Sequence, residues 1–213
     1  MEKKNEDDII INPSGAALIL LHWQNDLAAP AGKMARDMPN RLASDHTIEN
    51  LQAVLQAARD KELLVIYINA GHRPGYPEVP PNNSGLSRSI AKSGGLIRGT
   101  WGAEVIDQLK PLTDEIIIYN SSPSAFAYTE LELILRNKGI TDLVLSGLVT
   151  NWVVESTARE AASRGYKVYT LCDCCQGVND EMHHWSLTNI LSAVGTIIDH
   201  KTFVASLQGI PKS

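Results

Sequence analysis

The chain has 213 residues, of which 44% are hydrophobic and 20% are charged, and its formal net charge is -5. This length is typical of one globular domain with a full core and short for two. The acidic balance argues against a general nucleic-acid or anionic-membrane partner. No apolar run approaches the roughly 20 residues that span a bilayer, and the charged amino terminus lacks the apolar stretch of a signal peptide. We therefore predict a cytoplasmic protein with neither a nucleic-acid nor a membrane partner.

The chain divides into a short amino-terminal segment and one domain. Residues 1–14 are predicted to be a flexible lead-in, and residues 15–213 to form a single domain. Runs rich in Ile, Val and Leu occupy residues 16–21, 63–68, 115–120, 142–147, 167–172 and 195–199. The runs do not alternate with polar residues, which is typical of strands covered on both faces in a parallel sheet.

Amphipathic segments separate the apolar runs and predict helices. They span residues 45–60, 128–138, 151–164 and 180–193. Gly139 and Gly165 follow two of these segments as candidate helix C-caps, and Asn179 precedes another as a candidate N-cap. The alternation predicts a doubly wound, Rossmann-like α/β fold with a six-stranded parallel sheet and helices on both faces.

Ligands of such folds bind outside the carboxyl ends of the strands, and four motifs lie there. They read LILLHWQNDL (18–27), RPGYPEV (73–79, with Asn82 or Asn83 after it), YNSSPSAFAYTEL (119–131) and SGLVTNWVVESTAREAASRGY (146–166). In this order and spacing they resemble the motifs of the isochorismatase-like (cysteine hydrolase) superfamily. The resemblance covers about residues 16–207, which is almost the whole chain.

The resemblance implies a catalytic triad whose three positions carry other residues in this chain. Where the family has a basic Asp, a supporting Lys and a nucleophilic Cys, this sequence has His22, Asn120 and Val153. Val153 has no nucleophilic atom, so the thioester mechanism of the family is excluded. Asn120 can form hydrogen bonds but carries no positive charge. His22, with an unperturbed pKa of about 6.5, is the remaining candidate acid or base.

Two hypotheses about function follow. The first is an enzyme that acts on a small ring-containing or carbonyl compound by a non-thioester acid/base mechanism, with His22 and Asn120 as catalytic residues. The second is a catalytically inactive family member that binds a small molecule or a protein partner. The predicted ligand contacts flank the replaced positions or, for Arg73, offer a partner to a carboxylate. They are Trp23, Gln24, Arg73, Tyr76, Thr150, Trp152 and Val153.

Other reactive groups near the strand ends need separate consideration. The hydroxyl groups of Ser121, Ser122, Ser124 and Ser146 require a base within about 2.6–3.2 Å, and His22 is the candidate. The cysteines at 172, 174 and 175 are expected to be free thiols, with Cys175 in the core. His72 stands alone after the second strand, without the D-x-H pair of nicotinamidases, so we predict no metal and no cofactor. The resemblance implies a homo-oligomer, either a dimer or a tetramer.

Overall fold

A computed structural model of the chain describes residues 9–80 and 85–207. Residues 1–8 of the predicted lead-in, and Asn82 and Asn83 of the second motif, lie outside the described residues. Within the rest of the lead-in, Ile11 is fully buried in the core. The segment just before the first strand therefore packs against the domain.

Six parallel strands form one sheet, which confirms the predicted fold class. The strands are β1 (Ala16–Leu21), β2 (Leu64–Ala70), β3 (Ile116–Asn120), β4 (Asp142–Leu148), β5 (Lys167–Gln176) and β6 (Thr196–Ile198). Their order across the sheet is β3-β2-β1-β4-β5-β6, so the chain starts in the middle and winds outward in both directions. The carboxyl ends of the strands meet at one edge of the sheet, and β1, at the centre, is buried along its whole length.

Successive side chains of the central strand enter two separate cores. Leu18 and Leu20 pack in one hydrophobic cluster, and Ile19 and Leu21 pack in the other. This is the packing that an unbroken apolar run requires, because each face of a parallel sheet is covered by helices. The continuous runs of the sequence are therefore explained by burial on both faces.

Nine α-helices and two π-helical turns occur among the described residues. The helices are α1 (Asn25–Ala28), α2 (Met38–Ser44), α3 (Thr47–Asp60), α4 (Leu86–Ser93), α5 (Leu131–Asn137), α6 (Glu155–Ser163), α7 (Asp180–Ser186), α8 (Ser192–Val194) and α9 (His200–Ser206). A π-helical turn at Thr150–Val154 leads into α6, and another at Leu187–Leu191 joins α7 to α8. No helix within residues 9–80 and 85–207 is long and apolar enough to cross a membrane.

The predicted caps agree with the backbone geometry. Gly139 and Gly165 adopt positive φ angles of 68° and 85° just after α5 and α6. This left-handed conformation strains residues with a Cβ, and glycine adopts it freely. The side chain of Asn179 accepts a hydrogen bond from the backbone N–H of Met182 at the start of α7.

The differences from the predicted boundaries have local causes. The strand predicted over residues 167–172 continues to Gln176, because a register shift lets Gly147 and Leu148 pair with Cys175 and Gln176. Helices α1, α2, α4 and α9 were not predicted. Each has at most eight residues and lies outside the longer amphipathic segments, such as residues 128–138 around α5, in which a helical period could be recognised.

Candidate functional site

A cavity of about 90 Å³ lies at the carboxyl edge of the sheet, where β1 to β4 end. Its apolar lining comes from Leu27, Met34, Ala70, Leu86, Ile90, Leu96, Pro123, Leu148, Val149, Trp152 and Val153. Its polar lining comes from His22, His72, Ser87, Asn120, Ser121 and Ser122. Among these described lining residues there is no carboxylate, ammonium or guanidinium group. The cavity has room for roughly half a dozen water molecules, so it suits a small and uncharged ligand.

His22 follows β1 directly and makes one side-chain hydrogen bond. Its Nε2 lies 2.9 Å from Oδ1 of Asn120 at the end of β3. The Asn120 side-chain nitrogen donates to the backbone carbonyls of Ser122, at 2.8 Å, and Ser124, at 3.2 Å. Because those carbonyls only accept, Oδ1 must face the histidine, and Nε2 must carry the proton. The lone pair is therefore on Nδ1, which has no hydrogen-bond partner among the described residues.

The environment of His22 favours the neutral imidazole. Burial lowers its pKa from 6.5 to about 4, although the hydrogen bond to Asn120 raises it and a charge on His72 would lower it further. At neutral pH the side chain therefore offers a lone pair to the cavity. It is a hydrogen-bond acceptor or a weak base, and it has no proton to give from Nδ1.

Four of the predicted site residues are brought together here. His22, Asn120, Trp152 and Val153 all line the cavity, although they come from three segments of the chain. Val153 is 2% exposed and Asn120 is also buried, whereas Trp152 is 42% exposed. Trp152 therefore borders the opening, and the other three form the inner wall.

Two predicted ligand contacts lie outside the cavity lining. Trp23 is fully buried, and its Nε1 donates to Oγ of Ser146, 3.1 Å away. Gln24 is also fully buried, and its amide bonds the backbone N–H and carbonyl of Ala70 and the carbonyl of Ala103. Both side chains point away from the cavity because their polar atoms are used to join loops to the sheet.

Three further predicted contacts also have other partners. The Thr150 hydroxyl lies 2.8 Å from Nδ1 of His183. Arg73 is 65% exposed at its side chain and pairs with Glu78. The Tyr76 hydroxyl donates to the carbonyl of Gly95, 2.7 Å away. None of the three lines the cavity, and ligand binding by them stays a prediction.

Three of the four candidate serine hydroxyls donate to groups other than His22, and the fourth, that of Ser122, accepts from the backbone N–H of Ser124. Ser121 donates to the carbonyl of Gly71, Ser124 to the carboxylate of Glu160, and Ser146 to the carbonyl of Cys174. No serine among the described residues is hydrogen-bonded to His22, so a Ser–His pair is not assembled.

The cysteine cluster lies away from the cavity. Cys174 and Cys175 are buried in the two cores, and burial raises the pKa of both thiols, while the same cause raises the pKa of Cys172 to about 11. These thiols stay protonated at neutral pH and are poor nucleophiles. Within the part of the chain that the structure describes, no group of three or more His, Cys, Asp or Glu side chains could hold a metal ion.

The structure adds one residue that the sequence did not single out for the site. His72 lies two residues beyond β2, is 2% exposed and lines the same cavity as His22. Its Nδ1 is buried without a hydrogen-bond partner, 3.9 Å from the carboxylate of Glu78. The available signal was its position after a strand end, because the carboxyl-edge rule points to residues 69–83.

A doubly wound parallel sheet with an apolar cavity at its carboxyl edge defines an α/β protein whose site is made by the loops after the strands. The isochorismatase domain model matches residues 16–202, and the chain belongs to the isochorismatase-like hydrolase family.

Relatives and solved structures agree with this assignment. The ureidoacrylate amidohydrolase RutB of Acinetobacter baylyi is 32% identical over 97% of this chain and 89% of its own length. The ureidoacrylate amidohydrolase RutB of Methylobacterium radiotolerans is 29% identical over 96% of this chain and 84% of its own length. The structure of a cysteine hydrolase from Pseudomonas syringae pv. phaseolicola superposes with a TM-score of 0.81, at 25% identity, over 98% of this chain and 99% of that one.

Proposed function

We propose that this protein is a hydrolase whose active site has replaced the thioester mechanism of its family with direct attack by water, for which His22 is the base. The substrate is a small, uncharged carbonyl compound. The observation that carries the proposal is the His22–Asn120 pair, in which one ring nitrogen is held by the amide and the other is open to the cavity. The proposal that His22, Asn120 and Val153 stand at the three catalytic positions of the family rests on the motif resemblance.

The chemistry requires no covalent intermediate with the protein. A water oxygen bonds to the carbonyl carbon while Nδ1 of His22 accepts a proton from that water. The carbonyl electrons return as the bond to the leaving group breaks, and the leaving group takes the proton from His22. The Asn120 amide accepts from Nε2–H throughout, so it orients the ring and stabilises the transient imidazolium, as an amide or carboxylate does behind other catalytic histidines.

The lining of the cavity supports an uncharged substrate. An anion would be buried without a cationic partner, which costs several kcal/mol or more. Arg73 pairs with Glu78, and Arg98 donates to the carbonyl of Gly71 and lies over the Tyr119 ring. The relatives are named for ureidoacrylate, a carboxylate, and the described residues that line this cavity include no cation to pair with one. We therefore propose that the substrate differs from that of these relatives.

Turnover of a substrate panel by the His22→Ala variant tests the proposal. The panel contains small uncharged amides, lactones and cyclic diones. We expect His22→Ala to lower kcat by about 10²–10⁴-fold, the range of general acid–base catalysis. The exposed His184→Ala variant is the matched control and should be unaffected. Unchanged turnover in His22→Ala, or an acyl adduct on the protein by mass spectrometry, would contradict the mechanism.

A second candidate function is binding without turnover. The specific observation in its favour is the pKa of about 4 for His22, which makes this imidazole a weak base at neutral pH. A metabolite that copurifies and remains unchanged on prolonged incubation supports this alternative. Turnover of that metabolite at enzyme-like rates excludes it.

A further inference from the structure

The cavity contains a second imidazole whose environment is also specific. His72 is held at the start of the segment after β2, where its backbone N–H donates to the carbonyl of Leu96 and its carbonyl accepts from the backbone N–H of Arg98. Its ring contacts that of Tyr76, with 5.4 Å between centroids. The side chain is therefore fixed between the two loops that cover the cavity.

Glu78 is an anion at neutral pH. Partial desolvation raises its pKa, but hydrogen bonds from its own backbone N–H and from Arg73 outweigh that effect and lower the pKa overall. The Arg73 guanidinium lies 2.5 Å from one carboxylate oxygen, and the other oxygen lies 3.9 Å from Nδ1 of His72. A fixed negative charge thus faces this ring nitrogen.

The neutral His72 ring has one favourable tautomer in this position. Burial lowers its pKa, and the opposing effect of Glu78 is smaller, while Arg98 lowers it further, so the ring is neutral near pH 7. A lone pair on Nδ1 would face the carboxylate and be repelled, whereas an N–H there is attracted. The proton therefore belongs on Nδ1. Since Nδ1 is turned to Glu78 and the residue lines the cavity, Nε2 presents its lone pair to the cavity.

His22 also presents a lone pair to the cavity, but its other ring nitrogen is bound by an amide and not by a carboxylate. Its Nε2 donates to Asn120, and its lone pair on Nδ1 is open to the cavity. Two imidazole acceptors thus occupy one small apolar cavity, and among the described lining residues there is no charged group to accompany them. Each acceptor is fixed by a partner behind it, an amide in one case and a carboxylate in the other.

We propose that His72, oriented by Glu78, is a specificity-determining residue whose Nε2 lone pair selects an uncharged ligand with an N–H or O–H donor, while the lone pair on Nδ1 of His22 accepts from the attacking water. This inference rests on the proposed site and names the class of molecule it takes. A ligand without such a donor leaves the His72 lone pair buried and unpaired, which disfavours its binding. An anion is disfavoured by both acceptors.

The first test is the tautomeric state of the unmodified full chain, measured by ¹⁵N NMR of the histidine rings at pH 7. We expect His22 as the Nε2–H form and His72 as the Nδ1–H form. The Glu78→Ala variant should lose the preference at His72, whereas the exposed control Glu181→Ala should retain it. A His72 ring protonated at Nε2 in the unmodified protein overturns the proposal without any variant having to fold.

The second test compares three probes of similar size: acetamide, N,N-dimethylacetamide and acetate. Acetamide should shift the ring signals of both histidines, and the other two should bind at least about tenfold more weakly. The His72→Phe variant should lose this discrimination. Equal binding of N,N-dimethylacetamide overturns the proposal. So does saturable binding of Zn²⁺ alone to both rings, which would identify the pair as a metal site.

The two proposals fail separately. If acetamide binds as expected but no panel compound is hydrolysed, the water-attack mechanism fails and the ligand class stands. If hydrolysis depends on His22 but His72 has its proton on Nε2, the mechanism stands and the role of His72 fails.

Discussion

The polar residues that follow β1 have two kinds of surroundings, one for His22 and another for Gln24 and Asp26. His22 makes one side-chain hydrogen bond and leaves Nδ1 open to the cavity. Gln24 and Asp26 are fully or almost fully buried, and their side-chain hydrogen bonds among the described residues go to backbone groups of β2 and of neighbouring loops. The motif thus combines a site residue and loop-tethering residues within five positions. Agreement with a family pattern is therefore not evidence that a side chain touches a ligand.

His22 and Asp26 differ in whether their polar side-chain atoms have hydrogen-bond partners within the protein. Asp26 accepts from the backbone N–H of Lys33, at 3.0 Å, and of Leu96, at 2.7 Å. Leu96 lines the cavity, and so does Met34, the residue that follows Lys33. Asp26 thereby shapes the cavity without facing it, and His22 faces it directly.

The largest expected effect comes from removing the carboxylate of Asp26. Asp26→Ala leaves the buried backbone N–H of Leu96 and the partly buried backbone N–H of Lys33 without their acceptor, which costs about 2–4 kcal/mol of unfolding free energy. Urea denaturation measures the loss. The exposed Asp107→Ala variant is the control and should change stability by less than about 0.5 kcal/mol. Equal stability of the two variants would break the distinction between tethering and site residues.

A smaller effect is expected from mild acid, because between pH 7 and pH 6 two buried histidines together cost only about 1–2 kcal/mol of unfolding free energy. The folded-state pKa values of His22 and His183 are lowered from 6.5 to about 4, chiefly by burial, so the unfolded chain binds more protons between these values. The contribution of these two neutral histidines to the unfolding free energy is therefore fully present above about pH 6.5. It is lost as the pH falls towards 4, by up to about 1.4 kcal/mol per pH unit for each histidine.

Urea denaturation at pH 7 and pH 6 measures this loss. The His22→Gln variant should retain part of the pH dependence, because His183 remains. A pH dependence identical to that of the unmodified protein would show that His22 is not buried in its neutral form.

The smallest effect is expected at Arg73, which belongs to a motif but contributes neither to the cavity lining nor to the core. Arg73→Ala removes an ion pair whose guanidinium is 65% exposed, and such pairs contribute about 0–1 kcal/mol. We expect the unfolding free energy to fall by less than about 0.5 kcal/mol. A loss as large as that of Asp26→Ala would place Arg73 among the tethering residues.

Much of the fold was accessible from the sequence, because its signals are local. The apolar runs predicted six parallel strands, and a glycine or asparagine beside a helical segment predicted where that helix begins or ends. Four short helices were not accessible, because they do not lie within a longer amphipathic segment that shows a helical period, as α5 and α7 do. The extension of β5 depends on pairing with β4 after a register shift, which is a long-range contact.

The site was accessible only in part. The rule that ligands bind at strand ends, together with the motif positions, predicted His22, Asn120, Trp152 and Val153, and the structure lines one cavity with all four. It did not distinguish them from Trp23 or Gln24, which occupy adjacent positions and are buried in the tethering network. That distinction depends on partners far along the chain, such as Ser146 and Ala70.

The sequence by itself determined the fold class, the edge of the sheet where the site lies, and the lack of a nucleophile at Val153, since these depend on residue type and local periodicity. Only the tertiary structure decided which polar atoms remain without partners. The tautomer of His22 follows from Asn120, 98 positions away, and the role inferred for His72 follows from a loop that turns Glu78 back towards its ring. Hydrogen-bond satisfaction is a property of neighbours in space, and for that reason it is decided by folding and not by the order of residues.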